Sequence, residues 1–342
     1  MKERLLALTM LALVFAVIGC EKAPAKPKIG VAIYKFDDTF MSYVRNKIES
    51  SAKGNIEISV QDSQYDQPKQ NDQIDQFLAQ GCTALAVNLV DPSAVSVIIE
   101  KAKGKNVPLV LFNREPAAAD MANWDKVYYV GAKAQQSGTY QGEIIADYWK
   151  THPAADLNKD GKIQYVMLIG DPSNTDAKFR TEYSIKAVEA AGIPVEKLAE
   201  DTAMWDRVRA QEKMAAFLTA YKGRIEVVFA NNDDMALGAI EALKAAGYFK
   251  GDKFMPVVGV DATPPALDAI EQGTLLGTVL NDAERQGLAT YELACALATG
   301  AKEVKTSVAP LADQDGNVSA TGRYIWVPYV KVTRDNFKQF KR

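Results

Sequence analysis

A short segment in the middle of the chain carries oxygen-bearing side chains at alternate positions, followed by a glycine. These oxygens come at positions 1, 3, 5 and 9 of the segment, from Asp156, Asn158, Asp160 and Gln164. An EF-hand calcium loop has oxygen ligands at those positions, a glycine at position 6 and a backbone carbonyl at position 7, here Gly161 and Lys162. Met167 stands at position 12, where an EF-hand has a glutamate. The pattern predicts a calcium site that takes its last ligand from elsewhere in the chain, and a plain turn is the alternative.

Amide and carboxylate side chains also follow several strand-like runs directly. They are Asn88, Asn113, Asn231, Asn232, Asp261 and Asn281. In open α/β sheets a ligand binds beyond the carboxyl ends of the strands, so we expect these side chains to meet in one site. The chain has no GxxxxGK[ST], GxGxxG, GxSxG or HExxH motif, which argues against phosphate, dinucleotide, esterase and zinc-protease sites. A neutral, hydroxyl-rich ligand fits such a site, although any single residue could instead cap a helix or a turn.

Composition argues against several other classes of protein. The chain has 342 residues, 48% hydrophobic and 24% charged, so it is not disordered and has the length of about two domains. The formal charge of −3 argues against a nucleic-acid partner, which needs a basic face. His152 is the only histidine, which nearly excludes Ser-His-Asp and Cys-His catalysis and multi-histidine metal sites. Cys82 and Cys295 lie among apolar residues and are predicted to be buried free thiols rather than a disulfide.

Short apolar runs alternate with helical patterns from residue 29 onward. The predicted strands are 29–34, 56–60, 84–88, 108–112, 127–130, 163–169, 225–230, 256–260 and 276–280. Segments between them, such as 40–53, 66–79 and 94–103, have the composition and apolar spacing of helices. This alternation, with continuously apolar strands, predicts an α/β fold whose parallel sheets are covered by helices on both faces.

The first 28 residues have the features of an export signal and a tether. Two basic residues precede an apolar run over 5–17, which is too short to cross a bilayer but long enough for a signal-peptide core. The run ends in Val-Ile-Gly-Cys20, which resembles a bacterial lipobox. Residues 1–19 are therefore predicted to be a signal peptide and Cys20 the lipidated start of the mature chain, with an ordinary signal peptide as the alternative. Residues 20–28, with two prolines, are predicted to be an extended tether.

Eight segments, in the order of the chain, match one family of proteins. They are YKFDDTFM (34–41), KQNDQID (69–75), NLVDP (88–92), FNREP (112–116), DTAMWD (201–206), ANND (230–233), GVD (259–261) and GTVLND (277–282). On these segments the chain resembles the galactose/glucose-binding proteins of bacterial ABC transporters, which are type I periplasmic binding proteins. The resemblance covers nearly the whole chain after the predicted tether.

The resemblance implies an α/β fold of two doubly wound parallel-sheet lobes joined by a three-segment hinge. The chain would cross between the lobes near Gly131, Asn281 and Val327. The N-terminal lobe would comprise 29–131 plus 282–326, and the C-terminal lobe 132–281 plus 327–342. Such lobes close on a ligand by bending at the hinge.

The resemblance also implies a monosaccharide site for D-glucose, D-galactose or both. The implied sugar-binding residues are Asp38, Phe40, Asn113, Asn174, Asp176, Arg180, Trp205, Asn232, Asp261 and Asn281. Phe40 and Trp205 would stack on the two apolar faces of the sugar ring. The carboxylates would accept hydrogen bonds from sugar hydroxyls, and Arg180 and the amides would donate them. Asn174 stands where the family has a histidine, so the preference among sugars stays open.

The same resemblance completes the predicted calcium site. In the family a distant glutamate supplies the last ligand, and the matching residue here is Glu226. The implied ligands of a structural Ca²⁺ are Asp156, Asn158, Asp160, Lys162 through its carbonyl, Gln164 and Glu226.

The implied function is that of a non-enzymatic periplasmic or other extracytoplasmic lipoprotein. It would deliver its sugar to an ABC permease, act as a monomer and contact the membrane only through the lipid on Cys20. A role as a sugar sensor for a chemoreceptor in chemotaxis, or another pentose or hexose as ligand, are the alternatives. A glycosidase with Asp38 and Asp261 as paired carboxylates is the enzymatic alternative, but both residues match binding positions.

Overall fold

The computed structural model describes residues 26–341 apart from 53, 55, 302, 303 and 319–321. The predicted signal peptide, the predicted lipidation site Cys20 and most of the predicted tether therefore lie outside the described residues. Among the helices that are described, none combines the length and the apolar character needed to cross a bilayer.

Strands and helices alternate along the described residues, as the sequence predicts. The strands are β1 (Lys28–Ile33), β2 (Glu57–Asp62), β3 (Ala84–Val87), β4 (Leu109–Phe112), β5 (Val127–Gly131), β6 (Ile163–Ile169), β7 (Val195–Thr202), β8 (Val227–Ala230), β9 (Val257–Val258), β10 (Gly277–Leu280), β11 (Tyr324–Trp326) and β12 (Val330–Thr333). The α-helices are α1 (Thr39–Ser51), α2 (Gln67–Ala79), α3 (Val95–Gly104), α4 (Ala118–Met121), α5 (Ala134–Thr151), α6 (Thr175–Ala190), α7 (Arg207–Ala220), α8 (Asp233–Ala245), α9 (Pro264–Glu271) and α10 (Ala283–Ala298).

The strands form two six-stranded sheets, one in each lobe. The N-terminal sheet has the order β11-β5-β4-β3-β1-β2, and all of its strand pairs are parallel. The C-terminal sheet has the order β12-β10-β9-β8-β6-β7. The predicted α/β fold of two parallel-sheet lobes is therefore confirmed, with one local correction. Strand β12 runs antiparallel to β10, because the chain reaches it directly from β11 without an intervening crossover helix.

Helices cover both faces of each sheet, which explains the continuously apolar strands. In β1, Val31 packs into the cluster formed with α1 and α10, whereas its neighbour Ala32 packs into the cluster formed with α2 and α3. In the C-terminal lobe α7, α8 and α9 cover one face, and α5 and α6 cover the other. Since successive strand residues point to opposite faces, a strand buried on both sides is apolar at most positions.

Three strands were not predicted, one because it lacks an apolar run and two because they are very short. Strand β7 is the edge of its sheet, with no fully buried residue, and its sequence VEKLAEDT is rich in charge. Such charges suit an edge strand, since they discourage pairing with another chain. Strands β11 and β12 are only three and four residues long. The predicted strand 256–260 shortens to the two residues of β9.

The chain passes between the lobes at three places. It leaves the N-terminal sheet after β5 ends at Gly131 and enters α5 of the other lobe. It returns after β10 ends at Leu280, because α10 packs against α1. It crosses again between β11 and β12, after Trp326. Asn281 and Val327 each follow one of these strand ends directly.

Helices α5 and α6 pack closely because two glycines one turn apart face α6. A Cβ atom added at Gly138 would lie 2.8 Å from the carbonyl oxygen of Phe179. One added at Gly142 would overlap the carbonyl oxygen of Ser184 and the side chain of Ala187. This contact fixes the position of α6, which carries part of the site described below.

We expect Gly142→Ala to destabilise the protein by about 1–3 kcal/mol, because overpacking outweighs the gain of about 1 kcal/mol in helix propensity. Gly104→Ala is the matched control, since Gly104 ends α3 and has nothing within 4 Å of an added Cβ. The control should be neutral or stabilising by up to about 1 kcal/mol. The free energy of unfolding, measured in urea, separates the two. Equal stabilities for both variants would contradict the close packing of α5 and α6.

Candidate functional site

A cavity lies between the lobes, where both sheets direct the carboxyl ends of their strands. It is lined by Tyr34, Asp38, Phe40, Met41, Asn113, Arg114, Asn174, Asp176, Arg180, Trp205, Asn232, Asp261 and Asn281. All ten residues predicted to bind sugar are among them.

Three helices begin at this cavity, and each begins with a residue that lines it. Asp38 Oδ1 accepts a hydrogen bond from Met41 N at 2.7 Å, Asn174 Oδ1 from Asp176 N at 3.0 Å, and Asn232 Oδ1 from Met235 N at 2.9 Å. These side chains therefore cap α1, α6 and α8. Each cap occupies one oxygen, so the second polar atom of the side chain can take another partner. In Asp38 that atom, Oδ2, accepts from the Tyr34 hydroxyl at 2.6 Å.

Both lobes contribute aromatic side chains to the cavity, Tyr34 and Phe40 from the N-terminal lobe and Trp205 from the C-terminal lobe. Phe40 comes from the first turn of α1 in the N-terminal lobe and is 7% exposed. Trp205 comes from the loop between β7 and α7 in the C-terminal lobe, where its φ of 63° turns the chain sharply. Its indole lies directly over Gly170, where any Cβ atom would overlap the ring. The glycine therefore sets how far the indole reaches into the cavity.

A buried ion pair forms the C-terminal wall of the cavity. Asp176 and Arg180 lie one turn apart on α6, and Arg180 Nη2 donates to Asp176 Oδ2 at 2.8 Å. Arg180 also donates to the carbonyl of Asn231 at 2.9 Å and to the Tyr329 hydroxyl at 3.1 Å. Burial raises the pKa of Asp176, although the positive charges of Arg180 and Arg114 partly offset this. The pair presents a carboxylate acceptor that is already aligned.

A second buried carboxylate stands at the hinge. Asn281 Nδ2 donates a hydrogen bond to Asp261 Oδ1 at 3.3 Å, and Gln286 Nε2 donates one to Asn281 Oδ1 at 2.5 Å. Burial raises the pKa of Asp261 well above its ordinary value; Arg180 lowers it, while the charge of Asp233 adds to the rise. A carboxylate that is buried away from water is strongly stabilised when a hydroxyl group donates a hydrogen bond to it.

Two of the predicted strand-end residues serve the backbone rather than the cavity. Asn88 is fully buried and bonds to the backbone of Tyr34 and Phe112, and Asn231 Oδ1 accepts from Gly170 N at 3.0 Å. Both side chains hold in place loops that line the cavity. A polar residue at a strand end therefore indicates either a ligand contact or a loop anchor, and the pattern alone does not distinguish them.

The sequence reasoning missed three lining residues, Tyr34, Met41 and Arg114. Arg114 is the most unusual, because it is a charged side chain with 1% exposure. It directly follows Asn113 in the segment FNREP, so its position after a buried strand was the available signal. An arginine beside a glutamate and a proline instead has the appearance of a surface turn.

The predicted calcium segment folds as a tight loop closed by its own side chains. Asp156 Oδ2 accepts from Gly161 N at 2.9 Å, and Asp160 Oδ1 accepts from Lys162 N at 2.9 Å. Asn158 Oδ1 accepts from Asp160 N at 3.0 Å. The oxygens at positions 1, 3 and 5 are thus gathered on one side of a turn.

Glu226 lies against this loop, although it is distant in sequence. Its Oε1 accepts from Leu157 N at 2.6 Å, and its Oε2 accepts from Gln164 N at 2.9 Å. Burial raises the pKa of Glu226; the two backbone bonds lower it, and the negative charges of Asp156 and Asp160 raise it further. The negative charges of Asp156, Asp160 and Glu226 thus lie close enough to act on one another.

The chemistry of the loop suits a cation that takes oxygen ligands of several kinds. Gln164 Oε1 is buried and has no hydrogen-bond partner among the described residues. Those residues contain no group of three or more His, Cys, Asp or Glu side chains close enough to hold a metal by themselves. A calcium site here would also use the Asn158 and Gln164 amide oxygens and the Lys162 carbonyl, which are hard oxygen donors.

Both remaining cysteines are free, as the sequence predicts. Cys82 is buried and Cys295 half-buried, and burial raises the pKa of both thiols. Neither lines the cavity.

Comparison with known proteins gives consistent matches along the chain. The family described as a periplasmic binding protein domain matches residues 29–302. The D-galactose/methyl-galactoside binding periplasmic protein MglB of Haemophilus influenzae is 47% identical over 319 residues, which is 92% of each chain. A xylitol-binding protein of Mycolicibacterium smegmatis is 30% identical over 280 residues, 82% of this chain and 74% of the relative.

A solved structure has the same architecture. It is an ABC transporter solute binding protein from Bacillus halodurans C-125 with bound myo-inositol, at 28% identity and a TM-score of 0.77, and the match covers 94% of this chain and 99% of that chain. These proteins are named for binding and none for catalysis, so the expectation that the chain is not an enzyme is confirmed. Periplasmic binding proteins work outside the cytoplasmic membrane. The chain belongs to the type I periplasmic binding proteins of ABC sugar transporters.

Proposed function

We propose that the protein binds D-galactose, D-glucose or both between its lobes and delivers the sugar to an ABC permease. The observation that carries this proposal is the cavity lining: aromatic side chains from both lobes, surrounded by buried carboxylates, amides and two arginines. The 47% identity to a galactose-binding relative supports the same ligand class. Export and lipidation at Cys20, and the absence of a stable oligomer, remain predictions from the sequence.

The lining matches the chemistry of a pyranose. A sugar ring has two apolar faces that suit Phe40 and Trp205, and hydroxyls on its edge that both donate and accept. Charge-assisted hydrogen bonds to Asp176, Asp261 and Arg180 are among the strongest available to a neutral ligand. Micromolar binding of a hexose corresponds to about −8 kcal/mol, or roughly −0.7 kcal/mol per non-hydrogen atom, which is below the ceiling for small ligands.

Contacts between the lobes explain how a sugar would drive closure. Residues of both lobes line one cavity, so a ligand can contact all of them only when the lobes are together. The sugar therefore binds the closed form more tightly than the open form, and this difference in affinity shifts the population toward closure. Tyr65 and Thr39 of the N-terminal lobe already donate hydrogen bonds to Asp171 and Asp234 of the other lobe.

Titration with D-galactose, D-glucose, D-ribose and D-xylose tests the proposal directly. We expect micromolar or tighter binding of a hexose by calorimetry, with a matching change in tryptophan fluorescence. Trp205→Ala should weaken binding about 30-fold or more, because it removes a large contact in a buried site. Trp149→Phe is the control. Trp149 packs on the face of the C-terminal sheet that α5 and α6 cover and does not line the cavity, so its replacement should leave the affinity unchanged. No heat with any hexose would contradict the proposed ligand.

The preference among hexoses should depend on Asn174. This side chain is 6% exposed, lines the cavity and stands where the family has a histidine. Asn174→His introduces a longer donor, so we expect the ratio of galactose to glucose dissociation constants to change by about threefold or more. Asn123→His, at an exposed position of the N-terminal lobe, is the control. Identical affinities of Asn174→His and the unaltered protein for every hexose would show that this position does not set the preference.

We further propose that the loop 156–164 and Glu226 bind a structural Ca²⁺. The ligands would be the carboxylates of Asp156, Asp160 and Glu226, the side-chain oxygens of Asn158 and Gln164, and the Lys162 carbonyl. The unpartnered Gln164 oxygen and the gathered negative charge support the proposal. The ion would tie the loop before β6 to the residue that precedes β8, which stabilises the C-terminal lobe.

Removal of calcium by EGTA should lower the melting temperature by several degrees, because a ligand that binds only the native state adds about 2.7 kcal/mol at 100 times its Kd. Glu226→Gln should reduce or abolish this dependence on calcium. Asp315→Asn, in an exposed acidic turn of the other lobe, should retain it. An unchanged melting temperature in protein shown by elemental analysis to be metal-free would refute the calcium proposal.

A further inference from the structure

Arg114 is buried at the interface of the two lobes and is held by both. Its guanidinium carbon lies 3.8 Å from the centre of the Tyr34 ring, in the N-terminal lobe. Its Nη1 donates to the carbonyl of Val90 at 2.7 Å and to Asp171 Oδ2, in the C-terminal lobe, at 3.0 Å. Only 1% of Arg114 is exposed, so each of these contacts is made away from water.

The other terminal nitrogen of Arg114 has no such partner. Nη2 is buried and makes no hydrogen bond to any part of the chain that the structure describes. Arg114 lines the cavity between the lobes. A buried donor on a charged group is costly when it is unpaired, so this nitrogen requires an acceptor that the protein does not supply.

Asp171 is the residue of the C-terminal lobe that receives these contacts. Its Oδ1 accepts from the backbone nitrogen of Ser173 at 2.9 Å and from its hydroxyl at 2.7 Å, which fix the carboxylate. Its Oδ2 accepts from Arg114 and from the Tyr65 hydroxyl at 2.8 Å, both from the N-terminal lobe. Asp171 is not among the residues that line the cavity.

The electrostatics of Asp171 favour this arrangement. Burial alone would raise its pKa, but the bonds from Ser173, the charge of Arg114 and the Tyr65 hydroxyl together lower it. Conversely, burial and the bond to Asp171 raise the pKa of Tyr65 to about 12. Arg114 and Tyr65 therefore both stabilise Asp171 in its charged form.

We propose that Arg114 couples the bound ligand to closure: Nη2 donates to a sugar hydroxyl, while Nη1 and Tyr65 hold Asp171 and lock the lobes together. This role rests on the proposed function, since it requires a hydroxyl-bearing ligand in the cavity. Arg114 has the geometry for it because a guanidinium presents several donors in one rigid plane, whereas an ammonium presents a single point charge. One side chain thus contacts both the ligand and the opposite lobe.

A lock that forms only after closure acts on the release of the ligand. The lobes must separate before the sugar leaves, so the lock slows dissociation. Association begins with open lobes, in which Arg114 and Asp171 are apart, so its rate should barely change. This division between the two rate constants distinguishes a lock from a merely structural contact.

Stopped-flow fluorescence on the purified protein with D-galactose and D-glucose tests the lock. We expect Tyr65→Phe to raise the dissociation rate roughly 5- to 10-fold and Asp171→Asn roughly 10-fold or more, with association changed less than about twofold. Asparagine keeps the oxygen that Ser173 requires, so that loop should stay intact. Tyr128→Phe is the matched control, since it removes a hydroxyl from β5 in the same lobe, outside the network. Its dissociation rate should equal that of the unaltered protein.

Arg114→Met tests the contact with the ligand. It removes both functions of the guanidinium, so it should weaken affinity about 10-fold more than Asp171→Asn does. Circular dichroism and the melting temperature of the sugar-free variants establish that they are folded. Equal losses for the two variants would disprove donation by Nη2.

Unchanged dissociation in both Tyr65→Phe and Asp171→Asn would overturn the lock itself. If the unaltered protein binds neither sugar, the result contradicts the proposed function, on which the lock depends. Binding that is tight but insensitive to these substitutions disproves only the role of Arg114.

Discussion

The buried guanidinium of Arg180 is the interaction on which the C-terminal half of the binding site depends. It donates to Asp176 on α6, to the backbone of Asn231 after β8, to Tyr329 beyond the third crossing and to Ser137 on α5 at 3.3 Å. Burial alone would lower the pKa of Arg180, but Tyr329 and Asp176 more than offset this. A buried charge of this kind is tolerated only when its hydrogen bonds are satisfied. Four separate parts of the lobe are therefore positioned by one side chain.

The same residues serve the fold and the ligand throughout the cavity. Asp38, Asn174 and Asn232 cap helices with one atom and line the cavity with the rest of the side chain. The helix starts also place their positive ends at the site, where they favour carboxylates and polar ligand atoms. Within each lobe, these helix starts hold part of the binding geometry, so that part of each half-site is organised before the lobes close on the sugar.

Much of this organisation could be predicted from the sequence, because it follows local rules. Apolar strands that end in an amide or carboxylate indicated the edge of the sheets where the ligand binds, and four of the residues at those ends line the cavity. The resemblance to a family supplied the other six predicted residues that line it. Arg114 was missed because the glutamate and proline beside it are typical of a surface turn, and its position after a buried strand does not by itself show that the side chain turns inward onto Tyr34. The contact of Glu226 with the loop 156–164 is also non-local, and only the resemblance to a family suggested it. Edge strand β7 was not predicted, because its charged residues are typical of a segment that faces solvent.

The positions of β11 and β12 have a consequence for the order in which the molecule can be completed. These two strands follow all the other described strands in sequence, yet β11 pairs with β5 in one lobe and β12 pairs with β10 in the other. Before β11 and β12 are in place, β5 and β10 are unpaired edge strands. A chain that is still emerging from the ribosome or from a membrane channel therefore cannot complete the sheet of either lobe. The same segment, which contains β11 and β12, therefore completes the sheets of both lobes. A protein truncated before residue 324 would lack a strand in each lobe rather than keeping one lobe whole.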